Sequence, residues 1–227
     1  MTVSASREPL WDLLGLLFRS HPWHGVRIGD KAPEQITCYI EVVPTDTVKY
    51  EVDKHSGILE LDRPQTFSNV CPTLYGLVPQ TYCGSRVAAL SRTRTGRELE
   101  GDADPLDICV FAERAISHGD ILVQARPIGG LRMIDKNEAD DKILAVLAGD
   151  AAYSSYQDIH DCPRPLIDRL VHYFETYKLT PNSGERPCEI THVYGRDEAY
   201  DVIRRSQEDY RERFGALTTL LDAALRG

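Results

Sequence analysis

The chain of 227 residues carries 35 acidic against 26 basic side chains, a formal charge of -9, which excludes nucleic-acid backbone binding of the kind that needs a positive surface. Hydrophobic residues at 42% and charged ones at 27% are ordinary for one sizeable globular domain or two small ones, and exclude disorder and fibres. Cys38, Cys71, Cys83, Cys109, Cys162 and Cys188 form no CxxC pair, so they read as reduced thiols of a cytoplasmic protein and not as a zinc site.

Near the N-terminus, Leu10, Leu13, Leu14 and Leu17 share one helical face between Pro9 and Pro22. Glu8 and Asp12 interrupt the apolar run, so a short amphipathic helix is expected there and neither a membrane span nor a signal peptide. From Ile36 the pattern turns to strands: ITCYIEVV is followed by KYEVDKHSGILELD, a hairpin turning at Ser56 and Gly57. The stretch QTYCGSRVAALSRTRTGRELEG is polar, basic and weakly periodic, and reads as a surface excursion over about 78–101. Apolar strands follow in LDICVFAE, DILVQARPIGGLRMID and KILAVLAG. Several short strands with few helices between them suggest a closed barrel. RPLIDRLVHYFETYK places Leu166, Ile167, Leu170, Val171 and Phe174 on one helical face, CEITHVYG is a strand, and a last helix runs from about Asp197 to the end. The domain reading is an extension over 1–35 and a single domain over 36–227.

In GDADPLDICV, Asp102, Asp104 and Asp107 crowd the mouth of a strand. Like charges that close repel, and a cation relieves the repulsion. A second acidic group, Asp135, Asp140 and Asp141 in MIDKNEADDKI, lies at another strand end beside Lys142, so two sets of carboxylates could converge. Such oxygen donors suit a hard divalent ion, and paired ions generate a nucleophile from water near neutral pH. Lys49, Arg63, Tyr75, Tyr177 and Lys178 are spaced through the same elements and supply the point charges, guanidinium and phenols that a small phosphate anion needs. Taken singly, these are equally a solvated acidic turn, a solvent-facing lysine or a core tyrosine.

In order along the chain, YIEVVPTDTVKYEVDKHSGILELDR, CPTLYG, DADPLD, DILVQARPIGGLRMIDKNEADDKILAV and HYFETYK resemble the motifs of the family I soluble inorganic pyrophosphatases, from about Ile36 to Lys178. The resemblance implies a mainly β, α+β fold: a five-stranded OB-like closed barrel with two C-terminal helices packed outside it. It implies hydrolysis of pyrophosphate by several magnesium ions without a covalent phosphoenzyme. Asp102, Asp107 and Asp140 then match metal ligands, Asp104 the general base, and Asp135 and Glu41 carboxylates for ions arriving with substrate. Lys49, Arg63, Lys142, Tyr177 and Lys178 match substrate-binding groups, with Lys142 and Tyr75 also counted at the reacting centre and Glu51 near the metals.

Two rival classes are a two-metal phosphoesterase acting on a nucleotide or sugar phosphate, and a non-catalytic OB-like binding module. Ala103 stands where the family usually has glycine or a small polar residue. The longer stretch between Tyr75 and Asp102 and the N-terminal extension are further departures, so a homo-oligomer is expected with its subunit number open.

Overall fold

A computed structural model describes residues 20–179 and 186–226, with side chains up to 215. The expected N-terminal helix lies outside the described residues. Ten strands and three helices are described: β1 (Ile36–Val42), β2 (Val48–Val52), β3 (Leu59–Pro64), β4 (Leu74–Leu77), α1 (Ser85–Thr95), β5 (Glu100–Gly101), β6 (Asp107–Phe111), β7 (Ile121–Asp135), β8 (Glu138–Ala139), β9 (Lys142–Leu147), α2 (Arg164–Thr176), β10 (Cys188–Gly195) and α3 (Arg196–Arg226).

Five of the strands close a ring in the order β1, β4, β6, β9, β7 and back to β1. Its pairings are antiparallel except for β6 with β9, which run parallel. These two strands are buried on both faces, which is why they read as continuous apolar runs. Ile108, Val110, Ile143 and Ala145 enter one core with Ile36, Cys38 and Ile40 of β1 and with Val87, Val202 and Ile203 of α1 and α3. The alternate residues Cys109, Phe111, Leu144 and Val146 enter a second core under α2, against Ile167, Leu170 and Phe174. The helical face read from sequence in α2 is thus the face that packs.

At 15 residues, β7 serves four partners, pairing with β1, β9, the short β8 at its end and, through its second half, β10. Gly129 and Gly130 permit the last contact, since a Cβ at Gly129 would lie 2.5 Å from the Tyr194 carbonyl oxygen and one at Gly130 would lie 2.4 Å from the Tyr194 ring. The β2–β3 hairpin forms as expected, with Gly57 in the left-handed region at φ +69.

The basic stretch read as a surface excursion is instead built around α1, whose Val87, Ala88 and Leu90 are buried. Asp209 of α3, itself 4% exposed, accepts the amide hydrogens of Gly84, Arg86 and Val87 and so caps α1 from a distant part of the chain. The Gly96 N–H closes the other end on the Arg92 carbonyl, with φ +70.

Candidate active site

The ring brings the two acidic motifs together through one register. Asp107 opens β6, Lys142 opens the parallel strand β9, and the two residues lie opposite one another. Strand alternation puts both on the α2 side, with Cys109 and Leu144. The Lys142 ammonium is buried and hydrogen-bonds both Asp107 and Asp140. Tyr75 of β4 donates its hydroxyl to Asp107 Oδ2 at 2.6 Å.

Apart from Asp141, every side chain expected at the site lines one cavity of about 200 Å³. The β2–β3 hairpin contributes Lys49, Glu51 and Arg63, β1 contributes Glu41, the acidic loop Asp102 and Asp104, and the end of β7 Asp135; Tyr177 and Lys178 follow α2. Lys49 Nζ lies 2.5 Å from Glu51 Oε2 and 3.1 Å from Asp62 Oδ2. Lys178 pairs with Asp135, and the Arg63 guanidinium stands 5.9 Å from the centre of the Tyr177 ring. The Asp104 amide donates to Asp102 Oδ1 at 2.9 Å, which fixes the turn between them. Ala103, the departure from the family pattern, takes φ +64.

Desolvation dominates at Glu41, Asp102 and Asp104. Burial pushes Glu41 up to about 8, against the Val52 amide that donates to it at 2.8 Å, and the Asp107 charge adds to the rise. Burial also raises Asp102, assisted by Asp140, and raises Asp104 despite its pairing with Lys54. Burial acts to lower Lys142, but Asp107 and Asp140 outweigh it and hold the ammonium firmly charged. Carboxylates raised in this way mark a cleft with room for more positive charge. Asp135 Oδ1 is buried with no hydrogen-bond partner, a lone pair directed at nothing in the protein.

The donors at the cleft are carboxylate oxygens, which fit a hard divalent ion. Among the described residues no three acidic, histidine or cysteine side chains are gathered closely enough to ligate one ion as they stand. The ammonium groups of Lys54, Lys142 and Lys178 lie against the carboxylates instead.

A family model described as inorganic pyrophosphatase matches residues 38–211, most of the chain and all of the ring but the first two residues of β1. The chain belongs to the inorganic pyrophosphatase family. Within it, a Chlamydia trachomatis inorganic pyrophosphatase is 52% identical over 200 residues, covering 86% of this chain and 96% of its own. The Arabidopsis thaliana soluble inorganic pyrophosphatase 4 is 33% identical over 193 residues, covering 85% of this chain and 80% of its own. The crystal structure of the Thermus thermophilus inorganic pyrophosphatase superposes with a TM-score of 0.71 at 29% identity, covering 85% of this chain and 99% of its own.

Sequence reading placed Asp141 in the acidic group of this pyrophosphatase-family chain, but the side chain turns inward. It meets Arg132 Nη2 at 3.0 Å and the Tyr194 hydroxyl at 3.0 Å, and Arg132 also reaches Glu198 at 2.7 Å. Alternation in an extended segment explains this, since Asp140 and Lys142 flank Asp141 and face the opposite way. Missed in the sequence were Lys54, Glu138, Trp23, Tyr173 and Phe174, which line the same cavity. Lys54 sits in a hairpin turn, where a lysine ordinarily signals only solvent.

Proposed function

We propose that this protein hydrolyses inorganic pyrophosphate to two phosphates, with magnesium as its metal, by direct in-line attack of water. What carries the reading is the convergence of Asp102, Asp104, Asp107, Asp135 and Asp140 with Lys49, Arg63, Lys142 and Lys178 on one cavity, in a chain of this family. Pyrophosphate is so highly charged that water attacks it slowly until its charge is offset.

Asp102, Asp107 and Asp140, with Asp135 and Glu41, would hold the ions, and Glu51 stands beside them. Divalent ions bound there supply positive charge to the transition state and acidify water. Lys49, Arg63, Tyr177 and Lys178 bind and orient the anion, with the guanidinium suited to bidentate phosphate contact. Lys142 joins them and holds Asp107 and Asp140 in place, and Tyr75 fixes the Asp107 rotamer. Asp104 takes a proton from the attacking water as the new P–O bond forms and the bridging P–O bond breaks. Membership of the family disfavours the phosphoesterase and binding-module readings.

Phosphate release from pyrophosphate tests the metal. Turnover is expected with magnesium, none in excess chelator, and inhibition when calcium competes, because the larger ion tolerates looser coordination than an octahedral site demands. Full turnover in chelator would overturn the metal's role. Cytoplasmic location and homo-oligomeric assembly belong to the same proposal, and light scattering on the purified protein reads the assembly.

A further inference from the structure

We propose that Lys54 is a further substrate-binding residue, delivered to the cleft by the β2–β3 turn and parked on Asp104 until the anion arrives. This rests on the pyrophosphatase reading of the cleft and adds to it a residue that the sequence motifs did not single out.

The cleft is organised in ammonium–carboxylate pairs. Lys142 pairs with Asp107 and Asp140, Lys178 with Asp135, Lys49 with Glu51, and Lys54 with Asp104. The first three lysines are the substrate cations of the proposed function. Lys54 shares their geometry: it lines the same cavity and holds a carboxylate of the same acidic set. Once an arriving divalent ion draws Asp104 away, its ammonium is freed, and a trianionic or tetra-anionic diphosphate is then the strongest acceptor within reach.

The backbone under Lys54 is fixed, while its head is not. Asp53 Oδ2 accepts the Ser56 amide at 2.7 Å, the Gly57 amide donates to the Asp53 carbonyl at 2.8 Å, and the His21 ring nitrogen lies 3.2 Å from the Lys54 carbonyl. A Cβ on Gly57 would come within 2.8 Å of the His21 ring, so the turn is seated firmly against the segment before β1. The Lys54 side chain itself is 44% exposed, against 2% for Lys142. Lys142 is therefore locked in place, whereas Lys54 has the freedom to move from Asp104 onto an anion at the mouth of the cleft.

The test compares wild type, Lys54→Met and Lys54→Arg in three measurements: steady-state kinetics on pyrophosphate, calorimetric affinity for methylenediphosphonate in the presence of magnesium, and melting temperature. Loss of a charge-assisted contact to phosphate is expected to raise KM and weaken the analogue by about ten- to a hundredfold in Lys54→Met, with kcat changed far less. Lys54→Arg should recover most of the affinity, and both variants should melt near wild type because the side chain is half exposed. If Lys54→Met keeps KM and analogue affinity within about twofold of wild type, or lowers kcat alone, the substrate role is overturned and Lys54 only positions Asp104. Should Lys54→Met fail to fold, Lys54→Gln and Lys54→Arg carry the same comparison. A wild-type protein that neither cleaves pyrophosphate nor binds the analogue would overturn the proposed function itself, an outcome distinct from a defect confined to the variants.

Discussion

The acidic loop turns on two neighbouring residues with different duties. Asp104 pairs with Lys54 and is held by its own amide on Asp102. Replacing it by Asn keeps the size and removes the proton acceptor, so turnover of Asp104→Asn is expected to fall by roughly two to four orders of magnitude, the range for general-base loss. A near-wild-type rate would remove Asp104 from that role. Beside it, Ala103 holds φ +64. An L-residue pays about 1–2 kcal/mol there, while glycine brings about 0.5–1 kcal/mol of extra ordering cost. The balance favours Ala103→Gly, which should stabilise the fold by roughly 0.5–1 kcal/mol and raise the melting temperature by about 2 °C. Ala103 is exposed, so no packing is lost in the exchange. A lowered melting temperature would show that the left-handed turn is not where the strain lies. The sequence left the sign of this effect open, because the conformation at 103 depends on Cys83, whose carbonyl accepts the Ala103 amide at 3.2 Å from a remote loop.

At the scale of elements, legibility tracked how local the stabilising contacts are. The strands β6, β7 and β9, the hairpin and α2 declare themselves by periodicity, because their own alternation or helical stripe decides which residues are buried. Helix α1 does not. Its arginines are balanced by carboxylates far away in sequence, Arg86 by Asp209 and Glu212, Arg94 by Glu198, and nearby Arg97 by Glu189, so the stretch reads as polar although one side is buried. Asp209→Ala tests this dependence: leaving three amides without their acceptor at a buried site should cost about 2–4 kcal/mol, read as a fall in the denaturation midpoint. A loss below about 0.5 kcal/mol would mean that water replaces the cap.

The segment before β1 docks on α3 in the same long-range manner, with His24 Nδ1 2.8 Å from the Tyr210 hydroxyl and its ring beside Trp23 and Phe214. Burial, assisted by the neighbouring His21, lowers His24 to about 4 from its ordinary 6.5. The unfolded chain therefore binds this proton more readily than the folded one. The contribution of His24 to stability is complete above pH 6.5 and is lost as the pH falls from 6.5 to 4. Melting temperature followed over that window should decline more steeply in wild type than in His24→Gln, and equal slopes would assign the acid sensitivity elsewhere.

Across the whole molecule, the ring's job is to bring distant short motifs to one cavity. The candidate site was legible as residue types, since aspartates, lysines and tyrosines recur where strands end and all of those singled out except Asp141 line the cavity. Orientation was not legible. Asp141 faces the core because of one step of alternation, and Lys54 faces the cleft because the hairpin folds over it. With a formal charge of -9 and burial-raised carboxylates in the cleft, the protein should gain stability from a divalent ion that binds only the folded state. Magnesium at a hundred times its dissociation constant should add about 2.7 kcal/mol, visible as a rise in melting temperature that chelator reverses. No rise at any magnesium concentration would count against the ion site.

The most direct measurement is phosphate release by the purified protein from pyrophosphate, a nucleoside triphosphate and a simple phosphomonoester, side by side with magnesium. Rapid release from pyrophosphate, with far slower release from the other two, is the expected result. Equal or faster release from the phosphomonoester, or no release from pyrophosphate, would contradict it.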